Sequence, residues 1–133
     1  MPAPSFPAAS LLVALGGAAG AWLRYAVGVT LGRIGAATAQ FPWSTLAVNV
    51  LGSLLMGLLA GWLARHGSGG ETWRLLLGVG LLGGFTTFSA FSLELALMIE
   101  RGTLAAAAIY VGVSVFAGVA ALFAGLAVMR ALA

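Results

Sequence analysis

Two ionisable side chains fall inside apolar stretches of the chain, a position that by itself suggests a function. Arg24 lies in the first such stretch and Glu94 in the third. Charged groups inside a membrane are costly and commonly mark ion pathways, although Arg24 could instead extend to the membrane surface and Glu94 could bond a neighbouring helix. The other carboxylates form no acid–base or metal-ligand spacing with the single histidine, His66, and cysteine is absent. We therefore expect no enzyme activity.

Small and polar residues recur at every fourth position in three of the apolar stretches, which places each set on one helix face. The sets are Gly16, Gly20, Arg24 and Gly28; Thr45, Asn49, Ser53, Gly57 and Gly61; and Tyr110, Ser114 and Gly118. Close helix packing explains the glycines, but it explains Arg24, Asn49 and Tyr110 less well. Asn49 carries two N–H donors where hydrocarbon offers none, so it could bind an anion or simply link two helices.

Aromatic and hydroxyl side chains alternate after a pair of glycines in the third stretch. They are Phe85, Phe88 and Phe91, interleaved with Thr86, Thr87, Ser89 and Ser92. Phenylalanines at a spacing of three are ordinary core residues, and the spacing alone favours that interpretation. The edge of a phenyl ring carries the positive part of its quadrupole, however, so ring edges beside hydroxyl donors also suit a small anion.

The elements that must position these residues are membrane helices. Of the 133 residues, 62% are hydrophobic and 7% are charged, and the mean hydropathy is +1.11, so lipid must surround most of the surface. The arginines are scattered singly, which argues against a nucleic-acid partner. A hydrocarbon core of about 30 Å needs about 20 helical residues. The sequence predicts an all-α protein, a single transmembrane domain over 1–133 with spans at about 10–31, 43–65, 73–99 and 103–130.

The third span is longer than a perpendicular crossing requires and carries Gly83, Gly84, Thr86 and Thr87 near its centre. Two glycines followed by two threonines are where a helix would unwind. A broken helix at membrane depth commonly binds ions. The span is therefore predicted either to be broken at its centre or to be a tilted continuous helix with a glycine packing face.

Arginines are nearly balanced between the two sides of the predicted bundle. One side has Arg65, Arg74 and Arg130, and the other has Arg33 and Arg101, joined by Arg24 if its side chain reaches that side. The positive-inside rule then gives almost no orientation instruction. We expect insertion in both orientations and an antiparallel homodimer with a two-fold axis in the membrane plane. The alternative is one orientation set by factors outside the arginine count.

Three strings in the sequence resemble the CrcB/Fluc fluoride channel family. They are GGFTTFSAFS at 83–92, TLAVN at 45–49 and GAAGAWLRY at 17–25. The match covers essentially the whole chain, and the order of the strings is specific. The resemblance implies an antiparallel homodimer in the bacterial inner membrane, with two fluoride pores and a structural sodium ion on the two-fold axis.

The resemblance also implies a fluoride pore with aromatic, amide, hydroxyl and arginine side chains, which are Phe88, Phe91, Asn49, Tyr110, Ser114 and Arg24. Among these, Phe88 and Phe91 look like the family's pore-lining pair, and Arg24 looks like its vestibule arginine. The backbone carbonyls of Gly83 and Thr86 look like the sodium ligands.

Two positions depart from the family pattern. Ala90 stands where the family commonly has Thr, and Gly118 stands where some members have Ser. Neither position can contribute a hydroxyl here. The Phe88 and Phe91 pair is unaffected.

The expected function is passive export of fluoride from the cytoplasm, since no nucleotide-binding motif is present to drive transport. A proton-coupled exporter of the small multidrug-resistance type would share four spans and dual topology, but it has an acidic residue in the first span, where this chain has Arg24. A non-transporting assembly subunit would need only the glycine faces and would leave Asn49 and Phe88 unexplained. The sequence leaves open whether Glu94 lies in the ion path.

Overall fold

The computed structural model describes residues 4–34, 41–66 and 70–132, and within these ranges every regular element is helical. Four helices are long and apolar enough to cross a membrane: α1 at Phe6–Ile34, α2 at Trp43–His66, α3 at Glu71–Glu100 and α4 at Leu104–Ala131. The prediction of an all-α protein with four spans is confirmed. Residues 35–40, between the first and second predicted spans, and 67–69, between the second and third, lie outside the described residues, as do 1–3 and 133.

Tryptophans mark the two ends of α2. Trp43 and Trp62 are separated along the helix by about 28 Å at a rise of 1.5 Å per residue, which matches a hydrocarbon thickness of about 30 Å. The ring of Trp62 also meets Trp73 of α3 edge-on, with centroids 6.5 Å apart. These rings are placed as an interfacial aromatic belt would be.

The helices pack in two close pairs, α1 with the first half of α3 and α2 with α4. Glycine allows both approaches, because an added side chain would overlap the backbone of the neighbouring helix. A Cβ on Gly20 would lie 2.8 Å from the nitrogen of Phe85, and one on Gly125 would lie 2.7 Å from the nitrogen of Leu58. Small residues at such contacts are typical of membrane helix interfaces.

Helix α3 is irregular in two places. Arg74–Leu82 forms a π-helix. Further on, Thr86 and Thr87 have extended backbones, with ψ of 158° and 125°, between the α-helical residues Gly83–Phe85 and Phe88–Glu100. The two parts of α3 nevertheless remain joined and differ in direction by only 16°. The irregularity is therefore local, and the span continues across the membrane in nearly one direction.

The predicted unwinding over 83–87 is limited to its last two residues, because Gly83 and Gly84 are helical. A Cβ on Gly84 would lie 2.5 Å from the carbonyl oxygen of Gly17 on α1. This glycine is thus needed for close helix packing rather than for an open backbone. The extended residues are the two threonines that follow, Thr86 and Thr87.

Candidate functional site

The side-chain amide of Asn49 on α2 is bonded to the extended part of α3. Its Oδ1 accepts the N–H of Thr87 at 2.8 Å, and its Nδ2 donates to the carbonyl of Thr87 at 3.0 Å. In a continuous helix the same N–H would bond to the carbonyl of Gly83. Asn49 therefore replaces a helical hydrogen bond and links two helices, while the second N–H of Nδ2 has no acceptor within the described residues.

The threonines complete this arrangement. The Oγ1 of Thr87 accepts the N–H of Ala90 at 3.2 Å and caps the second half of α3. That N–H would ordinarily bond to the carbonyl of Thr86. The carbonyls of Gly83 and Thr86 have thus both lost the donors that a continuous helix would give them. These are the two carbonyls that the family resemblance assigns to a sodium ion.

Two pockets meet at Thr87. The first is open, has a volume of about 290 Å³, and is lined by residues of α2, α3 and α4, namely Asn49, Gly52, Ser53, Met56, Thr86, Thr87, Phe88 and Leu122. The second, of about 180 Å³, is lined by Arg24, Gly28, Ser44, Thr45, Val48, Thr87 and Ala90. The structure therefore places Asn49 and Phe88 together and puts Arg24 in the adjoining pocket. Ala90 also lines the Arg24 pocket. The hydroxyl of the Thr that the family commonly has at this position would therefore lie in this pocket, and this chain lacks it.

Glu94 is held by two hydroxyl groups from other helices. Thr45 donates to its Oε1 at 2.6 Å, and Tyr110 donates to its Oε2 at 2.7 Å. Thr45 is 8% exposed and Tyr110 is fully buried. A carboxylate accepts hydrogen bonds on both oxygens, so these two hydroxyl donors offset part of the cost of placing it inside a membrane. We call Glu94, Thr45 and Tyr110 the carboxylate cluster.

Sequence reasoning missed the partners of Glu94. Thr45 and Tyr110 are 49 and 16 residues away from it along the chain, so no local spacing connects the three. The available signal was the polar face of α2, which includes Thr45 at the fourth position before Asn49.

Three aromatic rings, including that of Tyr110 in the carboxylate cluster, form a continuous series. Ring centroids are 5.7 Å apart for Phe88 and Phe91, and 5.0 Å apart for Phe91 and Tyr110. Phe88 is 79% exposed on the surface of the single chain, whereas Phe85 is 6% exposed. Within the single chain, Phe85 is therefore a core residue and Phe88 is a surface residue.

Ser114 lies one helical turn after Tyr110 on α4. Its Oγ is buried and has no hydrogen-bond partner within the described residues. Leaving a buried hydroxyl unpaired costs about 1–3 kcal/mol. Such a group is a candidate donor to a ligand or to water.

Four apolar helices that enclose amide, hydroxyl and carboxylate groups define a multi-pass membrane protein with a polar interior. Residues 11–126 match the family described as "CrcB-like protein, Camphor Resistance (CrcB)", and the chain belongs to this family. The resemblance predicted from the three strings is confirmed.

Bacterial relatives extend over nearly the whole chain. This chain is 60% identical over 125 residues to a protein of Novosphingobium aromaticivorans named fluoride-specific ion channel FluC. The match covers 94% of this chain and 98% of the relative. Proteins of the same name from Erythrobacter litoralis and Caulobacter vibrioides are 58% and 54% identical. These cover 92% and 90% of this chain, and 92% and 94% of the respective relatives. The relatives are named as channels, not as enzymes, and the chain is a multi-pass bacterial membrane protein.

Proposed function

We propose that this protein is a fluoride-selective channel of the bacterial inner membrane, which exports cytoplasmic fluoride passively down its electrochemical gradient. The observation that carries the proposal is the 60% identity, over 94% of the chain, to a relative named as a fluoride-specific ion channel. The donors around Asn49, Tyr110 and Ser114 supply chemistry that fits such an ion.

By Born estimates, a bare anion in a low-dielectric interior loses on the order of tens of kcal/mol of hydration free energy. The pore must replace most of this free energy with hydrogen-bond donors. The free N–H of Asn49 and the unpaired hydroxyl of Ser114 are two such donors. The ring edges of Phe88 and Phe91 add weak positive potential without a fixed charge. Because every one of these groups is neutral, an ion can bind and still leave, as conduction requires.

We assign Arg24 to the entrance of the pathway. Its pocket adjoins that of Asn49 and Phe88 at Thr87 and contains the hydroxyls of Ser44 and Thr45. A cation there raises the local concentration of anions. Because Arg24 is not among the residues that line the pocket of Phe88, its charge attracts the anion without binding it beside Phe88.

We assign Glu94 to a positioning role. A carboxylate repels fluoride, but both of its oxygens accept hydrogen bonds, from Thr45 and Tyr110. These bonds orient the two hydroxyls beside the aromatic series. An incoming anion competes with Glu94 for the same two donors.

The functional unit we propose is an antiparallel homodimer. The balanced arginines favour insertion in both orientations. Along the second half of α3, Phe88, Ser89 and Ser92 are exposed on the single chain. Small residues beside an exposed ring are typical of membrane helix interfaces, and a second copy would cover this surface.

A sodium ion on the dimer axis fits the backbone of α3. The carbonyls of Gly83 and Thr86 lack their ordinary helical donors, since Asn49 and Thr87 have taken those N–H groups. We therefore propose that the extended threonines act as a break in α3. Two opposed copies would supply four carbonyl oxygens, which suit a hard cation. Such an ion would be structural and would stabilise the dimer by mass action.

Fluoride efflux from liposomes tests the function. Vesicles that contain the purified protein are loaded with potassium fluoride, efflux is started with a potassium ionophore, and external fluoride is followed with a selective electrode. We expect rapid fluoride release and retained chloride in parallel vesicles. Absence of release from vesicles shown to contain assembled protein would refute the proposal, and release that requires a pH gradient would favour a proton-coupled exporter.

A further inference from the structure

Tyr110 is enclosed between two phenylalanine rings. Phe91 lies on one side at 5.0 Å, and Phe41 meets the ring of Tyr110 at 5.4 Å with an angle of 77° between the planes. The phenol is fully buried and its hydroxyl is bonded to Glu94. The ring of Phe41 therefore covers Tyr110 on the side on which α2 begins.

Phe41 is the covering residue on that side. It precedes α2, next to the interfacial Trp43, whose ring lies 4.5 Å from it. Phe41 also packs on the buried residues Leu46, Met98, Ala107 and Tyr110. The aromatic series of Phe88, Phe91 and Tyr110 thus ends in Phe41, at the membrane boundary.

The backbone of Phe41 is hydrogen-bonded, whereas its ring is held only by packing against Trp43, Tyr110 and the buried residues around them. The carbonyl of Phe41 accepts the N–H of Trp43 at 2.9 Å, and that of Pro42 accepts the N–H of Leu46 at 3.1 Å. The following proline further restricts the backbone of Phe41. Rotation about the side-chain bonds is therefore the simplest motion that uncovers Tyr110.

We propose that Phe41 is an aromatic lid on the carboxylate cluster, and that its ring must rotate away for an anion to pass between this cluster and the aqueous side at the start of α2. The proposal rests on the proposed channel function. It adds a rate-controlling residue outside the pore-lining groups. A lid that only closes the pathway slows permeation, so removing its ring accelerates the flux.

Two measurements test the lid. The first compares fluoride efflux for Phe41→Ala, Phe41→Leu and Phe41→Trp, with Phe6→Ala as the matched control, since Phe6 is 85% exposed at the start of α1. We expect severalfold faster efflux for Phe41→Ala and Phe41→Leu, efflux at or below the parental rate for Phe41→Trp, and no change for Phe6→Ala. Parental or slower efflux for both Phe41→Ala and Phe41→Leu in assembled protein overturns the proposal.

The second measurement does not depend on fluoride. Ala107 is 3% exposed in the cluster that Phe41 covers, and the chain has no cysteine, so Ala107→Cys provides a single reporter thiol. With Phe41→Ala, a small water-soluble methanethiosulfonate should modify this thiol about tenfold faster, because opening is no longer needed. Equal rates overturn the lid. Should the parental protein pass no fluoride, the channel proposal fails, while the thiol rates still decide whether Phe41 covers the cluster.

Discussion

The side-chain amide of Asn49 forms two hydrogen bonds with the backbone of Thr87. Its Oδ1 accepts the N–H at 2.8 Å, and its Nδ2 donates to the carbonyl at 3.0 Å. These two bonds connect the first half of α2 with Thr87, one of the two residues of α3 that are not helical. One residue therefore holds the backbone that would carry the cation and also presents a donor to the pocket of Phe88. Different substitutions at Asn49 should therefore distinguish its effect on stability from its effect on conduction.

Asn49→Asp tests that separation. Aspartate can still accept the N–H of Thr87 but cannot donate to its carbonyl, which should destabilise the assembled protein by about 1–3 kcal/mol. Its charge also repels an anion, so fluoride efflux should fall by at least about a hundredfold. Asn49→Ala, which removes the hydrogen bonds without adding charge, should be as unstable to heat but lose less flux. Parental efflux from Asn49→Asp would show that Asn49 lies outside the ion path.

Phe88→Ile removes an aromatic edge and keeps an apolar side chain. Because Phe88 is 79% exposed on the single chain, folding of the chain should not depend on it. We expect fluoride efflux to fall by at least about tenfold while the dimer still elutes intact from a sizing column. The matched control is Phe116→Ile, since Phe116 is 78% exposed on α4 and belongs to no proposed pore. Equal loss in both variants would mean that Phe88 acts only by packing.

Tyr110→Phe deletes the hydroxyl that donates to Glu94 and keeps the ring between Phe91 and Phe41. The carboxylate loses one of its two donors, so thermal unfolding should show a loss of about 1–3 kcal/mol. Fluoride efflux should also decrease, because the anion can no longer compete with Glu94 for the Tyr110 hydroxyl. The control is Tyr25→Phe, whose side chain is 69% exposed. Unchanged efflux in Tyr110→Phe would separate the carboxylate cluster from the pathway.

Sodium removal tests the carbonyl site of Gly83 and Thr86. Prolonged dialysis against N-methylglucamine should lower fluoride efflux and the melting temperature of the dimer, and returning sodium should restore both. Sodium itself should not be transported. Full efflux after thorough removal would contradict a structural cation at this place.

The antiparallel arrangement can be tested with single cysteines, because the native chain has none. Thr72 and Thr103 are exposed near opposite ends of α3. If both orientations occur, Thr72→Cys and Thr103→Cys should each react with a membrane-impermeant maleimide from both sides of the vesicle. Labelling of each from one side only, and from opposite sides, would establish a single orientation.

The sequence alone determined that four helices cross a membrane, because a long apolar segment in lipid must satisfy its backbone hydrogen bonds internally. It also placed Thr45, Asn49 and Ser53 on one face of α2, since residues four apart share a helix face. The motif strings were specific enough to identify the family. These conclusions depend only on local hydrophobicity, spacing and order along the chain.

Tertiary structure decided which groups meet. Gly84 faces the backbone of α1 at Gly17 and stays helical, so the extended residues fall at Thr86 and Thr87, where Asn49 can capture the N–H of Thr87. Glu94 likewise acquires its two hydroxyl partners only when α2, α3 and α4 pack together. The sequence could not show these pairings, because a backbone or carboxylate group bonds to whichever donor the packed helices bring within about 3 Å, whatever its distance along the chain.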